Sequence, residues 1–138
     1  MPTTRDSWSK ESEGEVTRAI ANFATATRWE DIPADVRHQA KRSILNAFAT
    51  ALAGCREPAI DKMLATMKPF SGMPNCNVIG RSDRVDMLLA AKLNAMSANI
   101  FDFDDTHPET IIHPTAPVAP ALFAMAQTRS ITGRQLLH

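Results

Sequence analysis

The residues able to do chemistry are concentrated in one stretch. Asp102-Phe103-Asp104-Asp105-Thr106-His107 sets three carboxylates, a hydroxyl and an imidazole side by side, and a second imidazole follows in His113-Pro114. A carboxylate beside an imidazole can give and take protons around neutral pH, the pairing needed to move a proton on or off a substrate. If the preceding helix continues through the stretch, Asp102, Asp105 and Thr106 fall three and four residues apart and share one face, and Asp104 points elsewhere. Carboxylates crowded at a helix C-terminus oppose both the helix dipole and one another, a tension typical of a site. The plainer alternative is a solvated acidic helix end in which Asp and Thr cap the loop and the next helix.

Other chemistries fit less well. A metal centre would draw on Asp102 and Asp105 with His107 or His113, but that spacing matches no familiar metal motif, so no metal ligand is assigned. Asp102 to Asp105 also match the D-x-D-D pattern of class II terpene cyclases, where a central aspartic acid protonates an alkene. Those enzymes steady carbocations with many aromatic faces, whereas this chain has six Phe, two Trp and no Tyr. His38 lies on the charged side of a helix, and His138 is terminal.

The elements that must position the stretch read as helices. From Glu15, the apolar residues Val16, Ala19, Ile20, Phe23 and Ala24 recur at helical spacing and predict a buried stripe ending near Thr27. Pro33 opens a second helix to about Ala53, with Val36, Ala40, Ile44, Ala47, Phe48, Ala51 and Leu52 inward and Gly54 as a left-handed stop. Pro58 opens a third, ended by Pro69, Gly72 and Pro74. Val78 and Ile79 predict one short extended segment. Asp83 is the expected cap of a fourth helix reaching about Ile100, with Met87, Leu88, Ala91, Ala95 and Ala98 inward. A fifth runs from about Ala116 to Thr128 with Thr115 as cap. Thr132 then caps one further turn, and a single turn gains too little packing to close a domain. The expected architecture is all-α: about five helices and one extended segment over residues 15–138, the N-terminal part of a larger helical domain, after a frayed tail over residues 1–14.

Composition narrows the function. The 138 residues are 44% hydrophobic and 22% charged, enough for one modest core. Fifteen Lys plus Arg balance fifteen Asp plus Glu, which removes the electrostatic reason to expect nucleic acid or an anionic membrane as partner. No apolar run approaches the roughly 20 residues of a membrane span. Two cysteines, Cys55 and Cys76, without zinc-site spacing predict reduced thiols and a cytoplasmic location.

A family resemblance adds to this reading. The residues 102–107, then Thr110-Ile111-Ile112-His113-Pro114, then Thr132-Gly133 with Leu136-Leu137, together resemble the MmgE/PrpD family, which includes 2-methylcitrate dehydratase, cis-aconitate decarboxylase and iminodisuccinate epimerase. Ile32-Pro33, the Ala-rich run from Asn46 to Gly54, and Val78-Ile79-Gly80 support it. The resemblance spans roughly Glu15 to the end and looks like the N-terminal third of such a protein. It implies a helical domain completed by later parts of the chain and closed by a lid domain absent here, a homodimer, and no metal or organic cofactor. It also implies proton transfer at a carbon next to a carboxylate of a small polycarboxylic acid, followed by loss of water, loss of carbon dioxide or inversion. Dehydration, as in 2-methylcitrate dehydratase, is the expected reaction. By position in the motif Asp102, Thr106 and His113 resemble catalytic residues, with Asp105 and His107 on the substrate side. The family's catalytic lysine would lie beyond residue 138, since Lys10, Lys41, Lys62, Lys68 and Lys92 all precede the motif. The expectation is therefore a lyase portion inactive alone, with a non-catalytic helical interaction protein as the alternative.

Overall fold

The computed structural model describes residues 10–138, with side chains from Gly14 onward. Of the tail expected over residues 1–14, residues 1–9 lie outside the described residues, and helix α1 (Lys10–Ala26) already contains the rest. The chain divides into two compact units, residues 1–34 and 35–138. In the first, α1 leads into a 3-10 turn, Trp29–Asp31. The Asp31 carboxylate accepts from the Arg28 backbone N–H at 2.9 Å and from its guanidinium at 3.2 Å. The stripe expected to be buried on α1 is not: Val16, Ile20 and Phe23 are exposed. Its helical periodicity is real, but within this unit one helix and one short turn offer no second surface for it.

The second unit is built around α2 (Ala34–Gly54), α4 (Met87–Asn99) and α5 (Thr115–Thr128). Small residues bring these helices close: Ala47 meets Ala119 and Phe123, and Ala51 meets Ala98 and Ala116. These partners meet one face of the C-terminal half of α2, where Ala47, Thr50, Ala51 and Gly54 are buried; Val36, Phe48 and Leu52 of the expected stripe are exposed. Gly54 does not adopt the left-handed conformation expected of it. A Cβ there would collide with the Ser97 carbonyl oxygen and the Ile100 side chain, so glycine is needed for the close approach of α2 to α4.

After α3 (Pro58–Met67) and a 3-10 turn at Lys68–Phe70, the chain forms a small antiparallel hairpin, β1 (Cys76–Asn77) against β2 (Arg84–Val85), with Cys76 opposite Val85. The extended segment expected at Val78-Ile79 is thus the turn side of the hairpin, where Gly80 takes φ 73°. Two residues per strand cannot hold themselves, and buried Asn94 of α4 holds them instead. Its Oδ1 accepts from the Ile79 N–H at 2.8 Å and its Nδ2 donates to the Asn77 carbonyl at 3.2 Å. The main core lies beneath, from Ile60, Leu64, Val78, Val85, Leu93 and Ala124. Cys55 and Cys76 are free and buried, and burial pushes the Cys76 thiol above its ordinary pKa.

Asp86, not Asp83, caps α4, accepting from the backbone N–H groups of Leu88 and Leu89 at 2.8 and 3.1 Å. Asp83 instead receives the Lys68 ammonium at 2.8 Å, a bond that holds its carboxyl below the ordinary value against the opposing effect of burial. Leu89, Ala90, Leu93, Ser97 and Ala98 are buried and Met87 and Ala91 pack part-buried against the core, whereas Leu88, expected inward, is 77% exposed. At the chain's end α6 (Gly133–Leu137) is capped as expected, Thr132 and Gln135 bonding reciprocally. Six helices and a two-stranded hairpin make the described chain mostly α. None of these helices is long and apolar enough to cross a membrane.

Candidate active site

The connection from α4 to α5 carries every residue singled out in the sequence. The helix does not continue through it. α4 stops at Asn99, the Asp102 N–H caps back onto the Asn99 carbonyl at 2.9 Å, and Asp102 itself sits at φ 56°. Aspartate tolerates this left-handed region better than most side chains. The turn stacks Phe101 on Phe103, ring centroids 5.8 Å apart. It also reverses the expected facing of the acids: Asp102 is outside, its side chain 81% exposed, and Asp104 is inside, its side chain 1% exposed.

Three bonds fix the rest of the stretch. The Asn46 amide oxygen of α2 accepts from the Asp105 N–H at 3.1 Å. The Asp105 carboxylate turns to α5, accepting from the Thr115 backbone N–H at 3.2 Å and from the Thr115 hydroxyl. Asp105 therefore caps α5 from ten residues upstream; Thr115, expected to be the cap, is the first residue of the helix it would have capped. Thr106 is exposed, with its hydroxyl donating to the Asp104 carbonyl at 3.3 Å.

His107 closes a small loop. Its N–H donates to the Ile112 carbonyl at 2.9 Å, its carbonyl accepts from Ile111 at 2.8 Å, and its Nδ1 lies 2.8 Å from the Thr110 hydroxyl. Ile111, at φ 53°, completes the reversal. A β-branched residue held there carries local strain, the kind of backbone cost that clusters at functional sites. The loop returns the chain so that His113 meets the acids that precede it. His113 Nε2 lies 3.6 Å from Asp102 Oδ1, and His113 Nδ1 lies 3.1 Å from Asp104 Oδ1.

The centre is thus an imidazole with an exposed carboxylate at one ring nitrogen and a buried carboxylate at the other. His113 is partly exposed and lines a recess of about 340 Å³ with Met96, Asn99 and Pro117. Asp102, Asp104 and His113 each offer one ligand atom within 4.8 Å of the others. The ring divides its nitrogens between the two carboxylates, however, an arrangement suited to orienting and passing a proton more than to sharing one cation.

Of the five residues named from sequence, Asp102 and His113 come together, and Thr106 is exposed with its hydroxyl on the Asp104 carbonyl. Asp105 and His107 are engaged in shaping the loop. Sequence reasoning missed Asp104, Asn99 and Asn46. The signal for Asp104 was the alternation of Phe101, Asp102, Phe103 and Asp104, which sets both acids on one side, able to reach one imidazole, once the helix stops at Asn99.

Comparison with known proteins gives the family. The model of the MmgE/PrpD N-terminal domain matches residues 18–138. The cis-aconitate decarboxylase-like protein oryM of Aspergillus oryzae is 33% identical over 118 residues, covering 86% of this chain and 24% of that protein. The cis-aconitate decarboxylase of Aspergillus terreus is 30% identical over 133 residues, covering 96% of this chain and 27% of that protein. The chain spans about a quarter of the length of these relatives.

Proposed function

The chain belongs to the MmgE/PrpD family, and from that membership we propose that it supplies the histidine-bearing part of a lyase site for a small polycarboxylic acid. The observation that carries the proposal is His113 between Asp102 and Asp104 at the mouth of a recess. A hydrogen beside a carboxylate leaves or returns only with a base or acid in hydrogen-bond reach, and the part-exposed His113 ring is the group in this loop built for that. Asp102, 3.6 Å from the ring's Nε2, can take up a proton that Nε2 has gained. Thr106 is exposed, and its hydroxyl can turn from the Asp104 carbonyl to a substrate carboxylate. Asp105 and His107 act one step back, by fixing the start of α5 and the loop.

Dehydration of 2-methylcitrate is the reaction we first associate with the motif. The relatives' names support cis-aconitate as an equal candidate, with decarboxylation as the chemistry. Acids dominate the loop, and a polyanionic substrate needs cationic groups to offset them. The family's lysine is the natural source of one, and on this account the 138 residues alone do not turn over. The homodimer implied by the family is carried as part of the proposal and is tested by sedimentation.

The direct test is binding. Titration of the isotopically labelled chain with millimolar cis-aconitate, 2-methylcitrate and citrate is expected to shift the His113 ring and the Thr106 amide, and His113→Ala is expected to remove the response at Thr106. A folded chain whose loop resonances ignore all three acids overturns the proposal.

A further inference from the structure

We propose that Asp104 is the positioning residue of this site: it holds His113 in the tautomer that carries its proton on Nδ1, leaving Nε2 bare toward the substrate side. The inference rests on the proposed function only for the role of His113, and its test needs no substrate.

Asp104 is the most enclosed carboxylate of the stretch, 5% exposed as a residue where Asp102 is open to solvent. A carboxylate is not buried without donors to satisfy it. Asn99 at the end of α4 supplies one, its Nδ2 donating to Asp104 Oδ1 at 3.3 Å. Asp104 Oδ2, equally buried, has no partner, and neither does His113 Nδ1. These two unmatched polar atoms belong to the same pair of residues, whose nearest approach is 3.1 Å, within hydrogen-bonding distance but out of line. A small rotation of the ring or the carboxylate satisfies both at once, and no third group is needed. Catalytic hydrogen bonds in unliganded sites are often misaligned in this way and tighten when substrate binds.

The direction of the proton follows from chemistry. An ionised carboxylate has no hydrogen to give, so a bond between Asp104 and Nδ1 requires the hydrogen on Nδ1. Neutral imidazole then has its lone pair on Nε2, the edge that faces Asp102 and the exterior. Asp104 thus selects which nitrogen can accept a proton while touching no substrate itself. Asn99 extends the arrangement by one residue, anchoring Asp104 to the last turn of α4, so that the helix, the buried acid and the ring form a single chain of support.

The experiment is nitrogen-15 NMR of the His113 ring in the 138-residue chain above the ring's titration. The proposal expects neutral His113 to be mostly Nδ1-protonated, opposite to the form a free imidazole favours, and Asp104→Ala to return it to mostly Nε2-protonated with the amide spectrum still folded. Asn99→Ala is expected to shift the ratio in the same direction by a smaller amount. A wild-type ring that is mainly Nε2-protonated overturns the proposal without any variant, so a failure of Asp104→Ala to fold leaves it falsifiable. Broadening of the His113 signals by micromolar Mn²⁺ that Asp104→Ala abolishes also overturns it, in favour of a cation on the same three groups. A chain that binds no polycarboxylate but shows the Nδ1 tautomer refutes the proposed substrate and leaves the role of Asp104 standing.

Discussion

Replacing Asp86 by alanine removes four hydrogen bonds made by one carboxylate. Leu88 and Leu89 at the start of α4 donate to one of its oxygens, and the Ser71 hydroxyl, at 2.6 Å, and the Gly72 N–H, at 3.1 Å, donate to the other. Loss of an N-cap alone costs about 1 kcal/mol. The bond from Ser71 to a charged acceptor adds about 1.5 kcal/mol, at the low end of its class because the site is only partly buried. Gly72 is exposed and its N–H finds water instead, so it adds little. The sum is about 2.5 kcal/mol, read from urea unfolding followed by circular dichroism at pH 7. The Ser71 bond first, then the backbone bonds, hold the Asp86 carboxyl below its ordinary value of 3.8. A lowered folded pKa stabilises fully above the unfolded value, about 3.9, and its contribution is lost as pH falls through the folded value. The gap between wild type and Asp86→Ala should therefore be constant from pH 7 to 5 and narrow below about pH 4. A loss under about 0.5 kcal/mol, a figure typical of plain surface substitutions, or a gap that widens on acidification, refutes the reasoning.

Three further substitutions test other joints. Gly54→Ala drives a methyl group into the Ser97 carbonyl and Ile100 and should cost about 1–3 kcal/mol in the same unfolding assay. Asn94→Ala orphans the Ile79 N–H and the Asn77 carbonyl and should cost about 2 kcal/mol, with faster amide exchange at Ile79. Asp105→Ala should cost about 1 kcal/mol, with faster amide exchange at Thr115, because the carboxylate that caps α5 is gone.

What was legible in the sequence is what is local. Pro58 at the start of α3 and Thr132 as the cap of α6 act within one turn of themselves, and the structure has them where they were read. Non-local choices were not legible. Asp83 and Asp86 are both plausible caps, and the choice is made by Ser71, fifteen residues away, which bonds Asp86. The left-handed turn at Asp102 was hidden because periodicity carries a helix forward until something stops it. What stops it here is a set of contacts with distant partners, including Asn46 of α2, 59 residues from Asp105. The same turn exchanged the roles of the acids: Asp104 was expected to point away from the site and is the one buried against His113. Gly54 shows the complementary error, since a glycine at a helix end suggests a backbone stop and here answers a packing need seen only with α4 in place.

The proposed function requires His113 to move a proton at a carbon beside a carboxylate once the site is complete. The most direct measurement places residues 18–138 in the corresponding position of the Aspergillus terreus cis-aconitate decarboxylase and follows solvent deuterium incorporation into the acid with carbon dioxide release. Incorporation and turnover are expected, falling by at least about 100-fold in His113→Ala, the scale of a lost general acid or base, with cis-aconitate still bound. A folded chimaera whose turnover is indifferent to His113 contradicts it.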